Sequence, residues 1–209
     1  MGFRSPVKAK TYRQLVDQAN PRLPGQSEAL AWVFYDTQNF VDNVSTRLTF
    51  FQVTNVDRTI TNMVTAGSLP EPQFFEWWYA GVDVLRDVTT SAIDVATGSL
   101  DDVQSLVLTS RPTWTFTMSD KIVGPFPLSF CHASGGVTGF GFGTATASVV
   151  TVQYANNGVF DGGFCVDGAI TIPPKVGFDI TLNWPAAVDL TADVFLRFWM
   201  AGVLHRRVL

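Results

Sequence analysis

The chain has 209 residues with a formal net charge of −4, 46% hydrophobic residues and only 15% charged ones, where a soluble domain carries about 25%. Six Trp and 17 Phe supply a substantial core, and the length fits one β-sandwich or barrel with an added arm. Two cysteines and two histidines exclude a disulfide scaffold and a multi-histidine metal centre within one chain.

The first 22 residues hold Arg4, Lys8, Lys10, Arg13 and Arg22 against Asp17, so they carry +4 and the remainder −8. Residues 1–27 therefore read as a basic N-terminal arm and residues 28–209 as one β-domain. Such an arm meets a polyanion or an anionic membrane surface, or ties one subunit to the next. No apolar stretch with a small-residue cleavage site is seen in Met1–Leu30, so retention in a cytoplasm is expected. A short helix is expected at Thr11–Ala19.

Strands are expected at Arg47–Thr54 and Phe74–Leu85, separated by the Leu69-Pro70 turn. Alternation in the second places Phe75, Trp77 and Tyr79 on one face and Phe74, Glu76 and Trp78 on the other. The aspartates from Asp83 to Asp102 lack the spacing of a calcium loop and read as a solvated face. Leu100–Leu108, capped by Ser99, reads as a short helix.

Thr113–Met118 alternates threonine with Trp114, Phe116 and Met118, the mark of a half-buried strand. From Lys121 to Asp161 there is no intervening Asp, Glu, Lys or Arg, yet no 18 apolar residues run together, so this is no membrane helix. It suits β-structure covered by neighbours. Gly135–Gly143 reads as an aromatic, glycine-rich loop, and Asn157-Gly158 as a hairpin turn between Ser148–Tyr154 and Val159–Val166. Ala169–Ile172 and Phe178–Trp184 continue the series. In Val194–Met200 both faces are apolar, which marks a strand covered on both sides.

Chemistry is sparse. Cys131 and His132 are adjacent, so a strand would point them to opposite faces and no nucleophile-base dyad forms. Both Cys131 and Cys165 read as buried reduced thiols. Gly139–Gly143 lacks the third glycine and the βαβ context of a dinucleotide fingerprint. No cofactor, metal or catalytic residue is expected. Glu76, flanked by Trp77 and Trp78, is the one acid in a sugar-like setting, and the tryptophans there form either a stacking platform or, more often, packing. Phe75, Trp77, Trp78 and Trp199 are the candidates for a subunit interface or stacking surface.

Several of these segments carry a resemblance. Arg47–Phe51, the strand entered through Gly67-Ser68-Leu69-Pro70, the helix near Asp101–Leu108 and Thr115–Lys121 follow in order, then Gly124–Leu128 and Ile172-Pro173-Pro174 leading to Phe178–Pro185. From about Thr46 onward this order resembles that of jelly-roll capsid proteins of tailless icosahedral bacteriophages, including those with an internal membrane. The resemblance implies an all-β antiparallel sandwich or barrel of jelly-roll type with a short helix. It implies a virion shell subunit, assembled in the host cytoplasm, that contacts its own copies and other coat proteins. Arg4, Lys8, Lys10 and Arg13 of the arm would face nucleic acid, the internal membrane or a neighbouring subunit. The alternative is a carbohydrate-binding β-sandwich, a spike or receptor-binding module using Trp77, Trp78 or the Gly135–Gly143 loop.

Overall fold

The computed structural model describes residues 27–52, 57–86, 105–131, 137–138, 156–157, 164–190 and 193–207. Ten strands are found among them: β1 Ser27–Phe40, β2 Arg47–Phe50, β3 Phe74–Arg86, β4 Thr113–Met118, β5 Lys121–Pro127, β6 Val137–Thr138, β7 Asn156–Asn157, β8 Phe164–Ile172, β9 Phe178–Asn183 and β10 Val194–Arg207. Eight of them build two four-stranded sheets, ordered β1-β10-β3-β8 and β2-β9-β4-β5, while β6 and β7 pair apart. Every strand pairing is antiparallel. The chain is an all-β sandwich. Apart from the β4–β5 hairpin, each successive large strand lies in the other sheet, so the two layers are interleaved along the sequence.

Alternation decides what lies between the layers. Phe34, Phe40, Ala80, Val82, Leu196, Phe198 and Met200 of the first sheet face Phe50, Trp114, Phe116, Ile180 and Leu182 of the second, all buried. Rings interlock across the gap, with Trp77 and Phe116 centroids 5.0 Å apart and Phe50 and Phe198 5.9 Å apart. Each fully buried aromatic contributes about 2–3 kcal/mol of apolar burial.

Several expected boundaries move, each for a local reason. The strand expected to run to Thr54 stops at Phe50, because Phe51 takes a left-handed φ of 69°. The buried Asp36 carboxylate holds that turn by accepting the Phe51 N–H at 2.6 Å. Gly67, itself at φ 53°, then donates to Phe51 C=O and accepts from Phe178 N–H, stitching the long β2–β3 connection to β9. Of the helix expected at Leu100–Leu108, the described part is a single π-helical turn, Ser105–Thr109, closed by Ser110 N–H to Ser105 C=O at 3.2 Å. Its Leu106 is buried, and Leu106 C=O accepts the Trp184 indole N–H at 3.0 Å.

β1 was not expected as a strand, and β10 runs seven residues beyond Met200. Asn157 bridges to Val137; of the flanks of the expected Asn157-Gly158 hairpin, residues 148–154 and 159–163 lie outside the described residues, while 164–166 belong to β8, which runs on through the separately expected Ala169–Ile172. The Thr11–Ala19 helix and the arm also lie outside them.

Candidate interaction surface

The two outer faces of the sandwich differ in kind. On the second sheet Thr49, Thr181 and Thr115 stand side by side across three strands, flanked by Thr113, Thr117, Asn183 and Asp179. This face is mostly polar and almost neutral, apart from the exposed Ile122 opposite Thr117. On the first sheet the outward rows are Ala31–Val203–Glu76, Val33–Ala201–Tyr79, Tyr35–Trp199–Gly81 and Thr37–Arg197–Asp83. Small and apolar side chains dominate there, and Val33 and Tyr79 are 42% and 43% exposed.

Trp199 lies flat on this face because Gly81, its direct neighbour, has no side chain: a Cβ there would meet the indole at 1.9 Å. The indole N–H sits beside Asp83 without completing a hydrogen bond of ordinary geometry. Burial raises the pKa of Asp83, and the Trp199 N–H and the Arg197 guanidinium only partly offset it. Arg197 stacks 4.8 Å over the Tyr35 ring, donates from Nε to Thr37 Oγ1 at 3.0 Å and from Nη2 to Thr59 C=O at 2.5 Å. It therefore pins the loop at 57–60 onto the face, helped by Tyr35 Oη donating to Arg58 C=O.

At the far end of the same face, His205 stacks on Phe74 at 4.2 Å between ring centroids, and Glu76 Oε1 lies 3.6 Å from its Nε2. All three side chains are buried, His205 to 1% exposure. Burial dominates over the neighbouring carboxylate and lowers the His205 pKa to about 4, so the ring is neutral at pH 7.

The sequence-derived candidates separate into two groups. Phe75 and Trp77 are core residues with no exposure, and Trp77 donates its indole N–H to Tyr79 C=O at 2.6 Å. Trp78 and Trp199 belong to the outer side, Trp78 half-buried at a bulge and Trp199 as above. That bulge corrects the expected face assignment. The register of β3 against both neighbours shifts across Trp77–Tyr79, so Tyr79 turns outward while Trp77 points inward.

Arg4, Lys8, Lys10 and Arg13 lie outside the described residues, as does the Gly135–Gly143 loop except for Val137 and Thr138. Cys131 is a buried free thiol whose pKa burial pushes up, out of reach of nucleophilic chemistry at neutral pH. His132 and the Cys165 side chain lie outside the description. Among the described residues no three His, Cys, Asp or Glu side chains gather as a metal site, and no helix is long and apolar enough to cross a membrane.

Two features carried no usable signal in the sequence. One is the Asp36 anchor described above. The other is an open cleft of about 310 Å³ at one end of the sandwich, lined by Gln52, Gly67, Thr117, Ser119, Gly177 and Asp179. Its walls come from three separate connections and the strands β4 and β9, and no spacing rule brings such positions together.

No family model matches the chain, nor does any curated protein or solved structure.

Proposed function

We propose that this chain is a structural subunit of a virion shell, a coat protein of jelly-roll type that associates with its own copies. The observation that carries the reading is the interleaved strand order, β1-β10-β3-β8 over β2-β9-β4-β5. Two Greek keys wound into two four-stranded sheets give this order, and viral coat domains are among the proteins that use it. The apolar outer face of the first sheet supports the reading further. Interfaces between subunits are poor in charge at their centres and rich in aromatic residues, and 15% charge overall with Val33, Tyr79 and, at the rim, Trp32 exposed on this sheet fits that bias.

In this reading the basic arm faces the genome, an internal membrane or a neighbouring subunit, and other coat proteins complete the shell. Assembly takes place in the host cytoplasm. No cofactor and no enzymatic step enter it. Burial of Trp77 weakens the carbohydrate-binding alternative, since a stacking platform needs an open ring face.

Light scattering of the purified chain at tens of micromolar, followed by negative-stain microscopy, tests the proposal. Trimers, pentamers, hexamers or larger closed shells are expected. Deletion of residues 2–22 should leave the β-domain folded and impair assembly or packaging. A monodisperse species of 22.9 kDa that binds glycans through Trp78 would refute the shell reading in favour of the carbohydrate one.

A further inference from the structure

Strand edges invite pairing with other chains, and proteins blunt them with short strands, prolines, bulges or charges. The second sheet uses such devices on both sides. Its edge strand β2 has four residues and begins with Arg47, and its other edge β5 contains Pro125 and Pro127, which have no N–H to offer, together with Lys121. In the first sheet β1 is an edge of another sort. It is 14 residues long, pairs with β10 along its whole length without a register shift, and contains no proline, glycine, lysine or arginine.

The free side of β1 is closed at its middle, at Val33 C=O and Tyr35. Tyr35 N–H donates to Asn62 Oδ1 at 2.9 Å, Tyr35 C=O accepts from Asn62 N–H and Thr61 Oγ1, and Val33 C=O accepts from Asn62 Nδ2 at 2.7 Å. Asn62 thus stands in for a fifth strand. Backbone groups of an antiparallel strand turn alternately to its two sides, so those of Val33, Ala31, Ala29 and Ser27 point the same way as those of Tyr35. Among the described residues no hydrogen bond reaches Ala29 or Ala31 on that side. Their side chains are exposed, as are Trp32 at 37% and Val33.

We infer that the open half of this edge, Ser27–Val33, pairs antiparallel with the same segment of a second copy across a two-fold axis, making one eight-stranded sheet from two four-stranded ones. The inference rests on the reading that the chain associates with its own copies, and it names the place. Ser27 begins the strand and the Asn62 cap begins at Val33, so the register that uses the whole open stretch is centred on Leu30. Ala29 then faces Ala31 of the second copy, Leu30 faces Leu30 of the second copy, and the paired stretch is about 20 Å long. Charge fits this register. Glu28, the one ionisable side chain in the stretch, is ion-paired with Arg206 and meets Trp32 of the second copy rather than another Glu28. An edge this short gives a modest contact alone and gains from repetition in a closed assembly.

Cross-linking of the full chain tests it. In the centred register Leu30 forms a non-hydrogen-bonded pair with its twin, Cα atoms about 4.5 Å apart, which a disulfide spans. Leu30→Cys should give a disulfide dimer under mild oxidation at least tenfold faster than Val64→Cys, an exposed loop position of the same chain. Adding Ala31→Pro should abolish that dimer, because it deletes an N–H aimed at the second copy and none aimed at β10. Circular dichroism checks that this variant folds, and Ala31→Lys replaces it if it does not. Equal cross-linking rates for Leu30→Cys and Val64→Cys overturn the inference, as does a dimer that survives both Ala31 changes. Cross-linking of Leu30→Cys that appears only after deletion of residues 2–22 overturns it too, since the arm would then be the occupant. Large particles in light scattering without the Leu30 disulfide sink the edge pairing and leave the shell reading standing, whereas a monomer under all conditions sinks both.

Discussion

Asp36 is the residue whose loss should travel furthest. It sits in the middle of β1 with no exposure, its Oδ2 accepting from Phe51 N–H at 2.6 Å and Gln38 Nε2 at 3.0 Å, and its Oδ1 accepting from Thr37 N–H at 3.0 Å. Through Phe51 it fixes the left-handed turn that ends β2 and starts the connection lining the cleft. Asn has one acceptor oxygen, so whichever way its amide turns, an NH₂ group opposes at least one of these donors. A buried donor left unsatisfied costs about 1–3 kcal/mol, offset in part because the carboxylate no longer has to be desolvated. Asp36→Asn should therefore cost about 1–2 kcal/mol at pH 7. Asp36→Ala, which abandons all three donors and leaves a void, should cost about 3 kcal/mol, or roughly 6–12 °C in Tm for a chain of this size. Urea unfolding followed by tryptophan fluorescence, at one fixed protein concentration, measures both. Gln38→Ala serves as control because it removes a single contact. The pH dependence adds a second check: desolvation raises the Asp36 pKa above 3.8, so the folded chain takes up this proton before the unfolded one. Its carboxyl thus makes the fold more stable as pH falls through that window, a slope the Asn variant must lose. Equal midpoints for wild type, Asp36→Asn and Asp36→Ala would refute the reasoning.

His205 should act in the opposite sense. Its folded pKa of about 4 lies below the ordinary 6.5, so the stability it permits at neutral pH is lost as pH falls from 6.5 to about 4, by up to about 3 kcal/mol; His205→Phe should flatten that part of a stability–pH profile. Trp77→Ala should cost about 3–5 kcal/mol as a cavity in the core, against less than about 1 kcal/mol for Trp32→Ala at the rim, both read by chemical denaturation. Gly202→Ala should cost at least about 3 kcal/mol, because its Cβ would lie 1.9 Å from the Glu76 carbonyl oxygen in the adjacent strand, and backbone cannot step aside as a side chain does; a variant with wild-type thermal stability would show that the β3–β10 irregularity relaxes freely.

How far the sequence could be read followed from where the period of two survives. β4 and β9 keep apolar residues on one side and threonine, aspartate or asparagine on the other, and Thr113–Met118 and the start at Phe178 fall where alternation puts them. β10 showed apolar residues on both faces, and the structure gives each face an occupation: Leu196, Phe198 and Met200 inward, Trp199 outward over Gly81. β1 was invisible for a physical reason. Its inward positions are Phe34, Asp36, Gln38 and Phe40; Asp36 is tolerated because it accepts the Phe51 N–H, a partner 15 residues away that no local pattern announces, and Gln38 because it donates to Asp36. The interface candidates divided the same way. Aromatic richness marked Phe75, Trp77, Trp78 and Trp199 together, but only position in the sheet distinguishes a core ring from an outer one.

That distinction turns on one residue. Without the bulge at Trp78, strict alternation would carry Tyr79 inward with Phe75 and Trp77, and Ala80 and Val82 would face out. With it, Ala80 and Val82 enter the core, and Tyr79, Gly81 and Asp83 join the outer face. Gly81 is then available to receive Trp199, Asp83 to sit beside Arg197, and Arg197 to hold the loop at 57–60, which continues into Asn62. The same loop supplies the cap that closes β1 at Val33 and Tyr35. The inserted residue in β3 thus sets which part of the β1 edge is closed and which part is left open, although the two lie on strands separated by β10.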